Sequence, residues 1–208
     1  PGAEPGVFRM KIEILFPTPT EARDFRHSGV GTHVSGVGIA ATAYSTLKII
    51  QSRQPDWLIL AGVAGVYPHA GLKVGEVVLV ESEVEGDLGF FTPDGFTHLA
   101  HLPIDMEFER RHTLACPHLP AAAPFATARS MTLNAALAPF VDASQVEIEN
   151  MEGGAFFHVC QQERVRFLEL RAISNVVRLG HDDWDVDGAV QALTRGLHQL
   201  VDHLQDTQ

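Results

Sequence analysis

Acidic and polar residues that could do chemistry are concentrated between residues 146 and 175, in the segment VEIENMEGGAFFHVCQQERVRFLELRAISN. The segment begins with an acidic turn that contains Glu152, and it ends with a hydrophobic run that changes abruptly to Arg171, Ser174 and Asn175. Such a run is typical of a buried strand in an α/β protein, which delivers side chains at its carboxyl end. Because α/β folds bind ligands at that edge, the sequence predicts that this segment forms half of an active site.

Strands alternate with helices along the chain, and this order predicts an α/β fold with a single, mainly parallel sheet covered on both faces. Periodicity and β-branched content predict strands at 11–16, 30–34, 57–60, 75–84, 126–132 and 167–170. Helical spacing predicts a short helix that contains Glu21, Ala22 and Phe25. It also predicts a helix at 39–51 and a C-terminal amphipathic helix with its cap at Asp187.

Other regions carry turn or loop signals. The loop that ends at Phe96 is a candidate lid, and 98–124 is irregular with a possible helix at 106–114. The turn at 36–38 (GVG) lacks the rest of a dinucleotide-binding fingerprint, so it is interpreted as a tight turn between a strand and a helix. The residues at 61–65 (AGVAG) are small enough to let a ligand approach the backbone.

The composition excludes several classes of protein. The 208 residues are 45% hydrophobic and 20% charged, which suits one α/β domain. No apolar run approaches the roughly 18 residues that a membrane span needs, and a formal charge of −11 would repel the phosphate backbone of a nucleic acid. We therefore expect neither a membrane nor a nucleic acid as a partner.

The cysteines and the first residues bear on the cellular setting. Neither Cys116 nor Cys160 lies in a CxxC or Cys/His ligand pattern, which argues against a disulfide framework and a zinc site and favours a reducing cytoplasm. Residues 1–9 have neither the apolar core nor the basic start of a secretory signal. We expect them to be a disordered leader, followed by a single domain at 10–208 that holds no metal.

Four motifs carry a resemblance to a known family: AGVAG at 61–65, LKVGEVVLV at 72–80, ENMEGGAF at 149–156 and RAISN at 171–175. In their order and spacing, the chain resembles the superfamily of purine nucleoside phosphorylases and nucleosidases, and within it the futalosine hydrolases of menaquinone biosynthesis. The resemblance implies a nucleoside phosphorylase-like α/β domain, with a central mixed sheet flanked by helices, that hydrolyses the N-glycosidic bond of futalosine to hypoxanthine and dehypoxanthine futalosine. It also implies a purine nucleoside as the small-molecule partner, no cofactor, and a homodimer.

Other functions stay open at this point. A purine nucleoside phosphorylase acting on inosine-like nucleosides would need arginines around a phosphate, and the AGVAG and early-loop regions supply no such cluster. A methylthioadenosine/S-adenosylhomocysteine nucleosidase is a further enzyme of the same superfamily. A non-catalytic nucleoside-binding module that kept the fold is an alternative of a different class.

The resemblance assigns a chemical role to three residues. A nucleosidase must bind the ribose hydroxyls, orient water at the anomeric carbon and stabilise the leaving base while the sugar becomes cationic. Glu152 is assigned to the 2′ and 3′ hydroxyls of ribose, Glu21 to the attacking water, and Asn175 to the base. From the residues alone, Glu152 could instead stabilise the start of its own helix, and Glu21 could be a surface residue with Asp24 as its competitor.

Asn175 bears on which base is released. Adenine-specific nucleosidases of the superfamily carry Asp at this position. A carboxyl group can protonate N7 of a purine and accept from an exocyclic amino group, whereas an amide can accept from N7–H and donate to an O6 carbonyl. Asn175 therefore predicts a 6-oxopurine, hypoxanthine or guanine, and the structural alternative is an amide that caps the end of a strand.

Further residues are predicted to form the pocket. The resemblance places Arg171 near the water, although it could equally pair with a buried acid, and it places Met151 beneath the ribose. A carboxylate on the 5′ side of the substrate would need a cation, for which Arg178 is a candidate. The residues predicted to bind substrate are Ala64, Gly65, Asn150, Met151, Arg171 and Ser174.

Overall fold

The chain folds around one mixed sheet. The computed structural model describes residues 10–103, 112–180 and 183–207. Its strands are β1 (Ile12–Phe16), β2 (Val30–Val34), β3 (Trp57–Val66), β4 (Val77–Glu85), β5 (Gly89–Thr92), β6 (Gly95–His98), β7 (Leu114–Ala115), β8 (Ala126–Thr132), β9 (Ile148–Asn150) and β10 (Phe167–Val176). Its helices are α1 (Pro19–Ala22), α2 (Ile39–Arg53), α3 (Gly153–Gln162) and α4 (Val186–Asp206), with a 3-10 turn at Leu99–His101.

Strand β3 lies at the centre of the sheet. It pairs in parallel with β1 and with β10, and its carboxyl end pairs with the antiparallel strand β9. Strand β2 extends the sheet beyond β1, whereas β4 and β8 connect β10 to β9, so that this part of the sheet closes on itself. Because β1, β3 and β10 run in the same direction, their carboxyl ends meet at one edge of the sheet.

The strands that reach this edge are held in place by burial in the core. Strand β10 is buried at every position from Phe167 to Asn175. Helix α4 packs against β10 and β3, and α2 packs against α3. The buried face of α4 consists of Ala189, Val190, Ala192, Leu193, Gly196, Leu197, Leu200, Val201 and Leu204. The carboxyl end of β10 therefore presents its polar residues from a rigid, buried strand.

The predicted α/β class is confirmed, and most differences lie at the ends of elements. The strand predicted at 57–60 continues to Val66, because β10 and β9 pair with the small residues that follow it. The strand predicted from Gly75 begins at Val77, because Gly75 turns the chain with a φ of 89°. Helix α1 ends at Ala22, so the prediction that it contains Phe25 is wrong.

Four other predictions need correction or stay open. The cap of α4 is Asp185, whose side chain accepts a hydrogen bond from the Gly188 amide, and not Asp187, which lies in the first turn. The segment predicted as a loop through Phe96 forms the antiparallel hairpin of β5 and β6, which continues to His98, and its role as a lid stays a prediction. The leader at 1–9 lies outside the described residues, as does most of the helix predicted at 106–114. None of the helices within the described ranges is both long and apolar enough to cross a bilayer.

Candidate active site

A cavity of about 350 Å³ lies where β1, β3, β9 and β10 end. Every residue predicted for the site lines this cavity except Arg171, which is buried and bonded to the cavity-lining residue Glu152. The predicted lining residues are Glu21, Ala64, Gly65, Asn150, Met151, Glu152, Ser174 and Asn175. The lining residues that the sequence did not indicate include Thr18, Val37, Val63, Ala136, Glu149 and Trp184.

Glu21 turns inward from the short helix α1. The Thr18 hydroxyl caps this helix by accepting from the Glu21 amide at 3.2 Å, and it donates to the Glu21 carboxylate at 2.6 Å. The amide of Val63 donates to the other carboxylate oxygen at 3.0 Å, and the side chain is buried. Burial raises the pKa of Glu21 above its ordinary value, and the bonds from Thr18 and Val63 oppose that rise. A carboxylate in this state can take a proton from water at neutral pH more readily than a surface carboxylate can.

Asp24 does not share this environment. Its side chain is 49% exposed and pairs with Arg23 at the surface. It is also absent from the described cavity lining. The structure therefore places Glu21, and not Asp24, where it could contact a substrate.

Glu152 precedes α3 but does not cap it. Its side chain makes no capping hydrogen bond, and one carboxylate oxygen accepts from the Gly38 amide at 3.1 Å. The other oxygen accepts from the Arg171 guanidinium at 3.3 Å. The turn at 36–38 thus supplies a backbone donor to the site, and the carboxylate is held in the cavity wall by contacts far along the chain.

Asn150 caps α3 in place of Glu152. Its side-chain oxygen accepts from the amides of Glu152 and Gly153, both at 2.7 Å. The same oxygen accepts from Arg171 at 3.0 Å, and the amide nitrogen donates to Glu83 and Ser130. The carboxamide of Asn150 therefore holds α3 and Arg171, and its role in binding substrate stays a prediction.

Arg171 is buried next to the cavity and bonds to two acidic side chains. Its guanidinium donates to Glu152, to Glu169 at 2.7 Å, and to the backbone oxygen of Val63 at 3.1 Å. The alternative that Arg171 pairs with a buried acid is thus confirmed, because Arg171 pairs with both Glu152 and Glu169. An arginine bonded in this way is fixed in position and holds Glu152 in turn.

Glu83 and Glu169 form a buried pair that sequence analysis did not indicate. Burial, and then the charge of Glu169, raise the pKa of Glu83 well above its ordinary value. One carboxylate oxygen of Glu169 is buried and has no hydrogen-bond donor among the described residues, so a proton on Glu83 would supply one. The only sequence signal was a charged residue inside each of two apolar strand patterns.

Two glycines of β3 leave room for the site. A Cβ on Gly62 would lie 2.5 Å from Nη1 of Arg171 and 2.9 Å from Oε1 of Glu21. A Cβ on Gly65 would lie 3.2 Å from Nδ2 of Asn175. Side chains of the protein itself occupy the space that these glycines leave, and the approach of a ligand to this backbone stays a prediction.

Asn175 is oriented by its neighbour Ser174. The Ser174 hydroxyl donates to Oδ1 of Asn175 at 2.9 Å, and it also lies 3.3 Å from the backbone oxygen of Ala64. This leaves Nδ2 of Asn175 as the amide atom that can donate to a ligand. An amide has no titratable proton to transfer, so this group can stabilise a leaving base only by hydrogen bonding.

Comparison with known proteins decides the family. Residues 29–205 match the sequence profile of the Phosphorylase superfamily. The chain belongs to this superfamily. A futalosine hydrolase of Thermus thermophilus is 32% identical over 196 residues, which cover 85% of this chain and 80% of the relative. A futalosine hydrolase of Streptomyces coelicolor is 31% identical over 96% of this chain and 93% of its own length.

Solved structures of the superfamily share the fold. A futalosine hydrolase mutant of Helicobacter pylori strain 26695 superposes with a TM-score of 0.73 at 17% identity, over 94% of this chain and 100% of that chain. A 5′-methylthioadenosine nucleosidase of Arabidopsis thaliana in apo form gives a TM-score of 0.73 at 16% identity, over 94% and 96% of the two chains. The predicted fold and the resemblance to futalosine hydrolases are confirmed. Because both kinds of nucleosidase share the fold, the substrate must be inferred from the site.

Positive charge is kept out of the cavity in this member of the Phosphorylase superfamily. Among the described residues that line the cavity, none is Lys or Arg, whereas Glu21, Glu149 and Glu152 are acidic. Arg178 is exposed and is not part of this lining. In the described ranges, no group of three or more His, Cys, Asp or Glu side chains is arranged to hold a metal ion.

Proposed function

We propose that this chain hydrolyses the N-glycosidic bond of futalosine and releases hypoxanthine and dehypoxanthine futalosine. The observation that carries the proposal is the pair of buried carboxylates, Glu21 and Glu152, beside Asn175 in a cavity without a lining cation among the described residues. A phosphorolytic enzyme would need cations around its phosphate. The water that a hydrolase uses is neutral, so it needs a base and no cations. The buried carboxylates therefore favour hydrolysis.

Glu152 is suited to the ribose. Its carboxylate is fixed by Gly38 and Arg171 and still has free lone pairs for the 2′ and 3′ hydroxyls. As the glycosidic bond breaks, the sugar gains oxocarbenium character, and a nearby negative charge favours this state over the ground state. The contact therefore accelerates the reaction as well as holding the substrate.

Glu21 is suited to the attacking water. Two donors, Thr18 and the Val63 amide, fix its orientation, and burial raises its pKa towards the range of an effective general base. We infer that Glu21 takes a proton from water as the oxygen of that water bonds to the anomeric carbon. The electrons of the broken C–N bond pass to the departing purine, which takes up a proton from solvent as Glu21 returns its proton to solvent.

Asn175 is suited to that purine. Its Nδ2 can donate to an acceptor on the base, and Oδ1 keeps a lone pair beside the Ser174 bond. Hydrogen bonds of this kind stabilise the negative charge that develops on a leaving base. The identity of curated relatives as futalosine hydrolases supports hypoxanthine as that base.

The proposal is tested by incubating the purified protein with futalosine, inosine and 5′-methylthioadenosine in phosphate-free buffer and identifying the free base by chromatography. We expect hypoxanthine from futalosine without added phosphate. Activity that requires phosphate would instead indicate a phosphorylase. Faster release of adenine from 5′-methylthioadenosine would indicate a methylthioadenosine nucleosidase, and substrate binding without any release would indicate a binding module.

We also propose that the chain forms a homodimer, as the family resemblance implies. Val37 and Trp184 line the cavity and are nevertheless 52% and 47% exposed, so an apolar part of its mouth faces solvent in a single chain. A second copy could cover this mouth. Light scattering should give twice the chain mass of 22.7 kDa, and a monomeric mass with full activity would contradict the proposal.

A cytoplasmic location is a further proposal. It rests on the two cysteines, which are both buried and unpaired. Fractionation of the source cells would test it, since recovery of the protein in an oxidising compartment would contradict it.

A further inference from the structure

Strand β10 carries two charged residues, Glu169 and Arg171, within an otherwise apolar run. They stand two positions apart on the strand, so both side chains point to the same face of the sheet. The Glu169 carboxylate accepts from Nε of Arg171 at 2.7 Å, and the exposed fractions of the two side chains are 0% and 1%. A buried ion pair contributes little stability in comparison with well-packed apolar side chains. Stability alone therefore does not account for charged residues at these positions.

The bond to Glu169 sets the direction of the Arg171 guanidinium. Because the guanidinium is planar, fixing its Nε–H also fixes the directions of its other donors. Nη1 donates to Glu152 at 3.3 Å and to the backbone oxygen of Val63 at 3.1 Å, and Nη2 donates to Asn150 at 3.0 Å. Glu169 is absent from the described cavity lining, whereas Glu152 is part of it. Glu169 therefore acts on the cavity through Arg171.

Glu83 supports another bond of the same guanidinium. Its carboxylate accepts from the amide nitrogen of Asn150 at 2.6 Å, so the oxygen of that amide faces Arg171. Oxygens of Glu83 and Glu169 also lie beside Gly153, where a Cβ would be 2.1 Å from the first and 2.6 Å from the second. The missing side chain of Gly153 thus leaves the space that the two acids occupy. Each acid fixes a different part of the surroundings of Arg171.

We propose that Glu169 is a positioning residue that holds Arg171, and through it the Glu152 carboxylate, in the orientation that binds the 2′ hydroxyl of ribose. The inference rests on the proposed function, in which Glu152 accepts hydrogen bonds from the ribose hydroxyls. Glu169 does not touch the substrate. Its effect depends on where its oxygen lies, because a displacement of about 1 Å in a supporting group can reduce turnover about 100-fold.

Two substitutions of Glu169 separate the position of its oxygen from its charge. Glu169→Asp keeps the charge but shortens the side chain by one methylene, which draws the acceptor away from Nε of Arg171. Glu169→Gln removes the charge but keeps an oxygen acceptor at the same reach, and its NH₂ group can donate to Glu83. If the position of the oxygen matters, the glutamine variant should retain the function better than the aspartate variant.

The test measures kcat/KM on futalosine and on 2′-deoxyfutalosine, which differ only in the 2′ hydroxyl. Relative to wild type, we expect the ratio of the first value to the second to fall about 10- to 100-fold in Glu169→Asp and less than about threefold in Glu169→Gln. Glu13→Asp is the matched control, because Glu13 is a buried acid of β1 that bonds to His33 and is absent from the described cavity lining. It should lower the free energy of unfolding and leave the ratio unchanged.

A double-mutant cycle with Glu152→Gln shows whether Glu169 acts through Glu152. Glu152→Gln should itself lower the ratio. Adding Glu169→Asp should then lower the ratio little further, because the two changes weaken the same contact with the substrate. A purely structural role for Glu169 would instead reduce kcat/KM for both substrates by the same factor.

Three results would contradict the inference. A ratio equal to that of wild type in an active, folded Glu169→Asp protein would overturn the inference and leave the proposed function intact. A fall of tenfold or more in Glu169→Gln would also overturn it, because charge and not position would then matter, and this result can be obtained even if Glu169→Asp does not fold. A wild-type protein that neither binds nor hydrolyses futalosine would overturn both the inference and the proposed function.

Discussion

At the scale of single residues, the site depends on carboxylates whose surroundings give them different properties. Glu152 is bonded to Arg171 and Gly38, whereas Glu21 receives its bonds from Thr18 and Val63. Burial raises the pKa of Glu21 even though Arg171 opposes the rise. These surroundings suit the roles proposed for the two groups, in which Glu152 holds the sugar and Glu21 accepts a proton.

Glu21→Gln should abolish most of the hydrolysis and leave substrate binding nearly unchanged. The amide is close in size to the carboxylate but cannot take a proton from water, so kcat should fall about 100- to 10,000-fold. Steady-state kinetics and calorimetric binding of futalosine measure the two effects. Asp24→Asn, at the exposed competitor position, is the control and should behave as wild type. A Glu21→Gln protein with wild-type kcat would assign the base elsewhere.

The pH dependence of wild-type activity should report the same group. Because burial raises the pKa of Glu21 above its ordinary value of 4.5, the base becomes protonated while the pH is still above that value. We expect kcat/KM to decline as the pH falls through the raised pKa, and the residual activity of Glu21→Gln to lack this decline. A profile that stays flat down to the ordinary range of a glutamate would contradict the assignment.

At the scale of elements, β3 places two glycines at positions with different neighbours. Gly62 faces Arg171 and Glu21, and Gly65 faces Val177, Asn175 and Glu149. The two glycines are three residues apart on one strand. On the proposed function, Gly62 lies beside the groups for water and sugar, and Gly65 lies beside the group for the base.

Gly62→Ala and Gly65→Ala should therefore give different defects. An added methyl at Gly62 displaces Arg171 or Glu21, and a displacement of about 1 Å can reduce turnover of every substrate about 100-fold. The same methyl at Gly65 would lie close to Asn175, the residue proposed to contact the base, so it should weaken binding of free hypoxanthine. Each change should cost about 1 to 3 kcal/mol in the free energy of unfolding, measured by denaturant titration. Identical kinetic defects in the two variants would contradict this division.

At the scale of the whole molecule, the fold buries two acids side by side within its sheet. Glu83 of β4 and Glu169 of β10 lie beside Gly153, where a Cβ would be 2.1 Å from Glu83 Oε1 and 2.6 Å from Glu169 Oε2. Burial and the charge of Glu169 raise the pKa of Glu83 well above its ordinary value. At a pH between the ordinary pKa of Glu83 and its raised pKa, the folded protein binds one proton more than the unfolded chain does.

This difference makes stability depend on pH in a defined direction. The contribution of Glu83 is fully present below its ordinary pKa of 4.5 and is lost as the pH rises through its raised value, at about 1.4 kcal/mol per pH unit. Glu83→Gln removes the titrating group, so its free energy of unfolding should fall less steeply with pH. Chemical denaturation at several pH values measures the slope, with Glu81→Gln, a partly exposed acid on the same strand, as the control. An unchanged slope in Glu83→Gln would mean that Glu83 is not protonated in the fold.

The sequence by itself determined the fold class, most strands and the residues that meet at the sheet edge. Apolar runs that end in polar residues locate the carboxyl ends of parallel strands, and RAISN and ENMEGG supply most of the site from such local patterns. Element ends were less predictable. Hydrogen bonding to distant neighbours extends β3 to Val66, and the cap of α4 is Asp185 where the sequence predicted Asp187.

Only the tertiary structure decided what each acid contacts. Gly38 and Glu152 are 114 residues apart in the chain, Asn150 and Glu83 are 67 apart, and Tyr67 and Glu149 are 82 apart. No local pattern encodes such pairs, because a carboxylate in an alternating strand has the same sequence signature whether it faces solvent or a buried partner. Strand pairing set the row of Asn175, Gly65 and Glu149, and burial raised the pKa of Glu83. The segment at 146–175 therefore supplied most of the polar groups of the site, with Glu21 added from α1, and the closed sheet determined which groups hold them in place.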